Sequence, residues 1–377
     1  MATAADHLDG GPSPRYSDVT VNREETAITA TTTTHSHPDA PVRHSYPLAI
    51  QEPGFGTALS LLARTMPYAL VRFGILVGFS LVTIVWFALT IGGASLLGAS
   101  IHPWVGMGWL IAGLGAYGYA WWFVVRYALY LIQAGHVAVL TELITTGQIA
   151  NGSMGMFEYG RRVVTERFGQ VNLLFALDLL VRGVVRAFNR TLDWIAHLLP
   201  IPGLQSIVGI VNAVVRAATT YIDETIFSYN LARGDDNAWR SSKDALIYYA
   251  QNSKEILKTA LYVVVLDKVL TAVAWVLMLL PAFALLWLLP ESVKAGGFLG
   301  GLVIAALFAS NIRQAFLKPL FLVMVMTRFH LVVRDQPINL EWDARLSSVS
   351  GKFGEIKDRA AAGWAGTPPP VPGSAAS

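Results

Sequence analysis

The chain has 377 residues, of which 54% are hydrophobic and 14% charged, against roughly a quarter charged in an ordinary soluble domain. These are the proportions of a membrane protein, and a net charge of +3 with no basic stripe interleaved with aromatics excludes a nucleic-acid-binding surface. With no cysteine there is no disulfide framework, no thiolate metal site and no thiol nucleophile.

Residues 1–55 are rich in Ala, Thr, Ser, Pro and His and contain no signal-peptide apolar core, which predicts a disordered cytoplasmic tail. His35, His37 and His44 belong to that tail and are not read as metal ligands. A transmembrane helical domain is expected over 56–335. Residues 73–125 contain no Asp, Glu, Lys or Arg, more than the roughly 20 residues that cross a bilayer once, so the run holds more than one crossing. Apolar helices are expected at 70–98, 103–134, 269–289 and 296–316. Arg64 and Arg72 precede the first of these, Arg161, Arg162, Arg167, Arg182, Arg186 and Arg190 occupy the central region, and Lys318, Arg328 and Arg334 follow the last. Only Lys294 lies in a short connecting loop. By the positive-inside rule both termini and the central segment face the cytoplasm of a multi-pass protein in the cell membrane, plasma or bacterial inner.

In the central segment Asp178, Arg182, Arg186, Arg190, Asp193 and His197 recur every three or four residues, so they form one stripe along an otherwise apolar helix. After the breaker "PIPG" a second helix repeats the pattern with Asn212, Arg216, Thr220 and Asp223. The hairpin either lies on the inner leaflet with its charged face in water, or inserts with the stripe turned toward a bundle interior or aqueous cavity. Its apolar faces are long enough to span. Residues 221–258, turning at "GDDN", are expected to project into the cytoplasm as a helical hairpin. The returning helix then places the adjacent pair Asp267 and Lys268 roughly three turns along, where they meet the stripe, Lys268 with Asp178 or Asp223 and Asp267 with Arg182 or Arg216, or Lys268 snorkels to the headgroups. The remainder, 336–377, is expected to be a largely disordered cytoplasmic tail.

"WWFVVRYALYLIQAGHVAVL", then "RRVVTERFGQVNLLFALDLLVRGVVRAF" with Arg161, Arg162, Gly169 and Arg182, then "TYI", "SSKDAL" and "VVVLDKV" occur in an order that resembles the choline transporter-like family. The resemblance covers roughly 70–335, the carboxyl part of that fold. It implies a helical membrane bundle that moves choline or a related small amine. The family's large extracellular domain and first membrane helices have no counterpart here. On each side of "SSKDAL" this chain is longer by about two helical turns.

Catalysis finds no support: there is no Gly-rich phosphate loop followed by Lys, no His-Glu-x-x-His and no Ser-His-Asp arrangement, and no cofactor or metal is implied. The sequons at Asn151 and Asn189 fall on the expected cytoplasmic side. Trp109, Tyr117, Tyr119, Trp121, Trp122, Tyr127 and Tyr130 offer ring faces for cation–π contact with a quaternary ammonium; an interfacial belt is the plainer alternative. Gly74-x-x-x-Gly78, Gly296-x-x-x-Gly300 and Gly297-x-x-x-Gly301 permit close helix packing or a homo-oligomer.

The expected architecture is an all-α polytopic transmembrane bundle of about six membrane-embedded helices, with the lipid bilayer as its main partner. In the transport reading Asp178, Arg182, Arg186, Arg216, Asp223, Asp267 and Lys268 line or gate a path for a small cationic solute. The alternatives are an oligomeric scaffold, whose hairpin 221–258 recruits a cytoplasmic protein, and an oligomeric channel.

Overall fold

The computed structural model describes residues 46–123, 129–167, 213–234, 237–287 and 291–362. Among them every regular element is helical and there is no β-strand. Helix α1 (Phe55–Arg64) buries Ala58, Leu61 and Leu62 on one face and stops at Thr65. Pro67 in the first turn of the next helix cannot donate an N–H, and this break redirects the chain into α2 (Met66–Ser100), about 52 Å long.

Two residues later α3 (Pro103–Phe123) turns back antiparallel along α2. The register is set by small residues. A Cβ on Gly106 would lie 2.4 Å from the Ala94 carbonyl oxygen and 2.9 Å from the Gly98 Cα, so only glycine allows the two backbones to meet there. Further along, Trp109 covers Gly93, the Trp86 indole donates to the Gly113 carbonyl at 2.9 Å, and Thr83 and Tyr117 share a 3.1 Å hydrogen bond. The anticipated Gly74-x-x-x-Gly78 motif makes no such approach, since a Cβ at either position meets nothing within 4 Å, and the same holds for Gly300. Small-residue spacing alone does not say which glycine face meets a neighbour.

A second apolar pair follows much later in the chain. Labelling the intervening helices in order, α4 is Leu129–Thr145, α5 Met156–Arg167, α6 Ile222–Arg233 and α7 Ala238–Gln251. Then α8 (Ser253–Trp287) packs along α9 (Glu291–Ile312), which passes through a π-helical turn, Arg313–Leu317, into α10 (Lys318–Val333). Pro319 in the first turn of α10 has no N–H to return to the preceding turn, and the wider π turn absorbs the mismatch.

Among the described residues three helices are long and apolar enough to cross a membrane: Met66–Ser100, Ser253–Pro281 and Gly297–Val333. They point to membrane association. Only 22% and 11% of the most apolar stretches of the first two are buried within the protein, against 67% for the third, whose last turns pass into a globular core.

That core corrects three expectations. Helix α4, whose first residues belong to the expected apolar run 103–134, is buried on nearly every side against α5 and α6, and residues 124–128 of that run lie outside the described residues. The hairpin 221–258 does not project freely. Its helices α6 and α7 turn through Gly234, whose φ of +68° suits glycine, and α4, α10 and the C-terminal helices pack around them, leaving Tyr229 and Tyr248 fully buried. The C-terminal segment is not disordered from 336: α11 (Leu340–Val349) and α12 (Gly351–Ala362) are formed, and α12 lays Phe353, Ile356 and Ala360 on α7. The spacing of those three residues is that of one helical face, hidden in the sequence by the polar and small residues around them. Residues 46–54 are likewise tied in, with Ile50 buried and the Ala49 N–H donating to the Ile144 carbonyl at 2.9 Å.

Candidate functional site: a cationic cavity at the foot of the apolar helices

Helices α2, α8 and α9 each have a run free of ionised side chains, and each of these runs stops at the same end of the molecule. On α2 it begins after Arg72, on α8 it covers 269–287 after Asp267 and Lys268, and on α9 it ends before Arg313. The α8 run of 19 residues is about 28 Å long, close to the thickness of a hydrocarbon core. Asp267 and Lys268 therefore stand at the edge of this charge-free run.

Here the π turn acts on the chemistry. It presents Arg313 to α8, and the guanidinium forms a two-pronged pair with Asp267, Nε to Oδ1 at 2.9 Å and Nη2 to Oδ2 at 2.8 Å. The Thr271 hydroxyl donates to the same carboxylate at 3.3 Å. Planar fork-to-fork pairing is the strongest geometry available to these two groups. The Asp267 side chain is 20% exposed and that of Arg313 39%, so the pair is only partly withdrawn from solvent. Arg313, not Arg216, pairs with Asp267 among the described residues; Arg182, the other expected partner, lies outside them.

Beside the pair lies an open cavity of about 420 Å3. Its charged lining comes from four segments: Arg216 from the helical stretch 213–220, Asp267 and Lys268 from α8, Arg313 from the π turn, and Lys318 from α10. Thr220 and Tyr221 add hydroxyls, and Val263, Val264 and Phe321 supply apolar wall. Arg216 and Lys268 are exposed at the rim, while Lys318 and Arg313 are half-buried. The Tyr221 hydroxyl keeps its proton well above the ordinary range. Burial is the main cause, the negative charges of Glu224 and Asp267 add to it, and Arg313 and Arg72 oppose.

Behind Tyr221 a second polar link joins α2, α4 and α6. The Arg72 guanidinium donates to the Gln133 side-chain carbonyl at 3.1 Å, and the Gln133 amide donates to Glu224. Gln133 thus relays between two full charges that do not touch. Arg72 Nε and Glu224 Oε2 are buried with no hydrogen-bond partner.

Of the residues singled out in sequence, Arg216, Asp267 and Lys268 share this cavity; Asp223, one position before Glu224, does not line it. Asp178, Arg182, Arg186 and Tyr127 lie outside the described residues, as do 171–199 and 204–212. The aromatic residues of α3 form no cage. Tyr117 is turned to Thr83 and Phe87, Trp121 to Phe79, Trp109 to Gly93, and Tyr119 and Trp122 are exposed, with none of them in the cavity lining. Arg313, Lys318, Arg72, Gln133 and Glu224 were not anticipated as site residues. Arg72 and Lys318 stood out only as flanking positive charge, although Arg313 inside the apolar string "ASNIRQAFL" carried the same signal as Asp267.

Two buried histidines hold the globular part together. His136 Nε2 shares a 2.9 Å hydrogen bond with the Thr65 hydroxyl, and its ring stacks on Tyr68 at 5.0 Å. Burial, with the charge of Arg72 adding, pushes its pKa down from 6.5 to about 3. His330 contacts Ser228 at 2.7 Å through Nε2 and the Tyr46 hydroxyl at 2.8 Å through Nδ1. Ser228 also accepts from Thr141 at 2.7 Å. Sequence gave no hint of this Ser-His contact. Both residues are fully buried and the third member is a tyrosine instead of a carboxylate, so the chain fastens α4, α6, α10 and the segment before α1. Among the described residues no cluster of His, Asp and Glu is placed to hold a metal ion.

The class these observations define is an all-helical protein with three helices able to cross a membrane and a charged cavity where their apolar runs end. Comparison with protein-family models, with curated proteins and with solved structures gives no match.

Proposed function

We propose that this chain is a polytopic protein of the cell membrane, with both termini cytoplasmic, that handles a small solute in the manner of a transporter. One observation carries the reading: Arg216, Lys268, Arg313 and Lys318 converge on an open cavity beside a single carboxylate. Charges that served only to fasten helices would close on opposite charges, as Asp267 and Arg313 do. No ion-pair partner meets Arg216, Lys268 or Lys318 among the described residues, and holding Lys318 half-buried without one is costly. The concentration of Arg and Lys at this end supports its facing the cytoplasm.

The resemblance to the choline transporter-like family supports transport as such, and "VVVLDKV" contributes both Asp267 and Lys268 to the cavity. It does not favour choline as cargo here. At an effective dielectric of about 20, two like charges 4 Å apart repel by about 4 kcal/mol, and this lining opposes a cation with four positive groups and no aromatic cage. A second reading, a membrane scaffold, draws on the forked Asp267–Arg313 pair, which ties α8 to the π turn without any need of a solute.

The absence of native cysteine gives a clean test. In sealed vesicles a Thr220→Cys variant is expected to react with a membrane-impermeant maleimide from the cytoplasmic face only. A folded T220C protein that resists the reagent from both faces would remove the cavity from consideration. If T220C reacts but uptake of labelled choline and of labelled phosphate into proteoliposomes both equal that of empty vesicles, transport is abandoned for the scaffold.

A further inference from the structure

We infer that the cavity is a phosphate site, and that the phosphate it holds is the headgroup of an anionic phospholipid of the adjoining leaflet. The inference rests on the preceding reading only in taking the cavity to be open to ligand.

The first argument is charge. Four cations line the cavity against one carboxylate, and that carboxylate is already engaged by Arg313 through both its oxygens. Arg313 uses Nε and Nη2 for this and keeps Nη1. The cavity thus offers Lys268, Lys318, Arg216 and one remaining guanidinium nitrogen, all donors and none acceptors. The contrast with a second cavity, about 350 Å3, is instructive. It too contains a Lys and an Arg, Lys258 and Arg328, but both donate to Glu255, Lys258 at 2.8 Å. There the positive charge is spent locally; here it is not.

The second argument is position. Lys268 and Arg313 are the last charged positions before the charge-free runs 269–287 and 295–312, each close to the length that crosses a hydrocarbon core. In a bilayer this is the depth of the lipid phosphates, where basic pockets between helices take up anionic headgroups. The third argument is the mixed wall. Val263, Val264, Ala213, Ala217 and Phe321 sit beside the cations, so an acyl–glycerol group finds apolar contact while its phosphate meets Lys and Arg. Tyr221 supplies a hydroxyl donor, held protonated by its burial, whereas the Thr220 hydroxyl is already given to the Arg216 carbonyl at 2.6 Å. A free inorganic phosphate would use the cations and leave the apolar wall empty.

The test uses the full chain carrying T220C, in nanodiscs of phosphatidylcholine with or without phosphatidic acid, and in neutral detergent with or without inorganic phosphate. Phosphatidic acid at about ten times its dissociation constant is expected to slow maleimide labelling roughly tenfold, and uncharged diacylglycerol to leave it unchanged. Adding Lys268→Gln, at an exposed position, is expected to raise that dissociation constant about tenfold, the worth of one hydrogen bond from a charged donor, so that the same lipid slows labelling only about twofold. Lys318→Gln is expected to act in the same direction. Lys254→Gln, a cation nearer the start of the same helix and outside the cavity lining, is expected to have no effect. T220C labelled equally fast with phosphatidic acid, with phosphate and with neither overturns the phosphate site while leaving an open cavity. Protection by inorganic phosphate alone overturns the assignment to lipid. T220C that is never labelled in the folded protein overturns the reading beneath both.

Discussion

Helices α7 and α8 follow one another with only Asn252 between them, yet they meet their surroundings in opposite ways. On α7 Trp239, Ser241, Ser242 and every residue from Asp244 to Ala250 are buried, and the buried polar groups find partners: Ser242 accepts from Asn230, and the Tyr248 hydroxyl donates to the Gln336 carbonyl at 2.6 Å. On α8 beyond Lys268 the large side chains face outward, Val269 at 54%, Val276 at 60%, Leu280 at 64% and Trp287 at 84% exposure. In water the second arrangement would expose a large contiguous apolar patch; in lipid it needs no internal partner, because every backbone polar group is satisfied within its own helix. The two regions therefore owe their stability to different sources, side-chain packing and polar satisfaction in one, solvation by hydrocarbon in the other. The cavity lies where these two sources change over.

The difference is broken or sharpened by substitution. The largest effect is expected for Phe329→Ala, since that ring is fully buried and packs against Tyr229 at 5.9 Å and Tyr249 at 5.8 Å. A loss of about 3–5 kcal/mol is expected, read by denaturant or thermal unfolding, whereas Phe283→Ala, 48% exposed on α8, is expected to cost less than about 1 kcal/mol. Equal losses would show that the two regions are not built differently. Within the apolar helices, Gly106→Val is expected to cost about 1–3 kcal/mol by forcing α2 and α3 apart, while Gly74→Val, facing open space, is expected to be nearly neutral in the same assay.

At the boundary, Arg313→Gln removes two charged hydrogen bonds from Asp267. Because the pair is partly exposed, the expected loss is about 1–2 kcal/mol, and Asp267→Asn is expected to cost a similar amount. The smallest effect per step is expected from pH. The folded-state pKa of His136, about 3, lies below its ordinary value of 6.5. Between those limits the unfolded chain binds a proton that the folded chain does not, so this contribution is complete above about pH 6.5 and falls by about 1.4 kcal/mol for each pH unit below it. His136→Gln is expected to flatten that part of the stability–pH profile, and an unchanged slope would mean that other groups carry the acid sensitivity.

The sequence by itself determined the helical class and the apolar runs of α2, α8 and α9, because both follow from composition and local periodicity. It also marked Asp267, Lys268 and Arg216, since an ionised residue in or next to an apolar string is visible without any tertiary information. Only the folded chain decided that Asp267 belongs to Arg313, 46 positions away, that Gln133 stands between Arg72 and Glu224, and that Gly106 meets α2 where Gly74 meets nothing. It also decided that α7 and α12 bury one another, although the sequence around them looks as polar as a free hairpin and a loose tail. Pairing partners and packing faces depend on distances between residues remote in the chain, which no local pattern encodes, whereas solvent preference is a property each side chain carries with it.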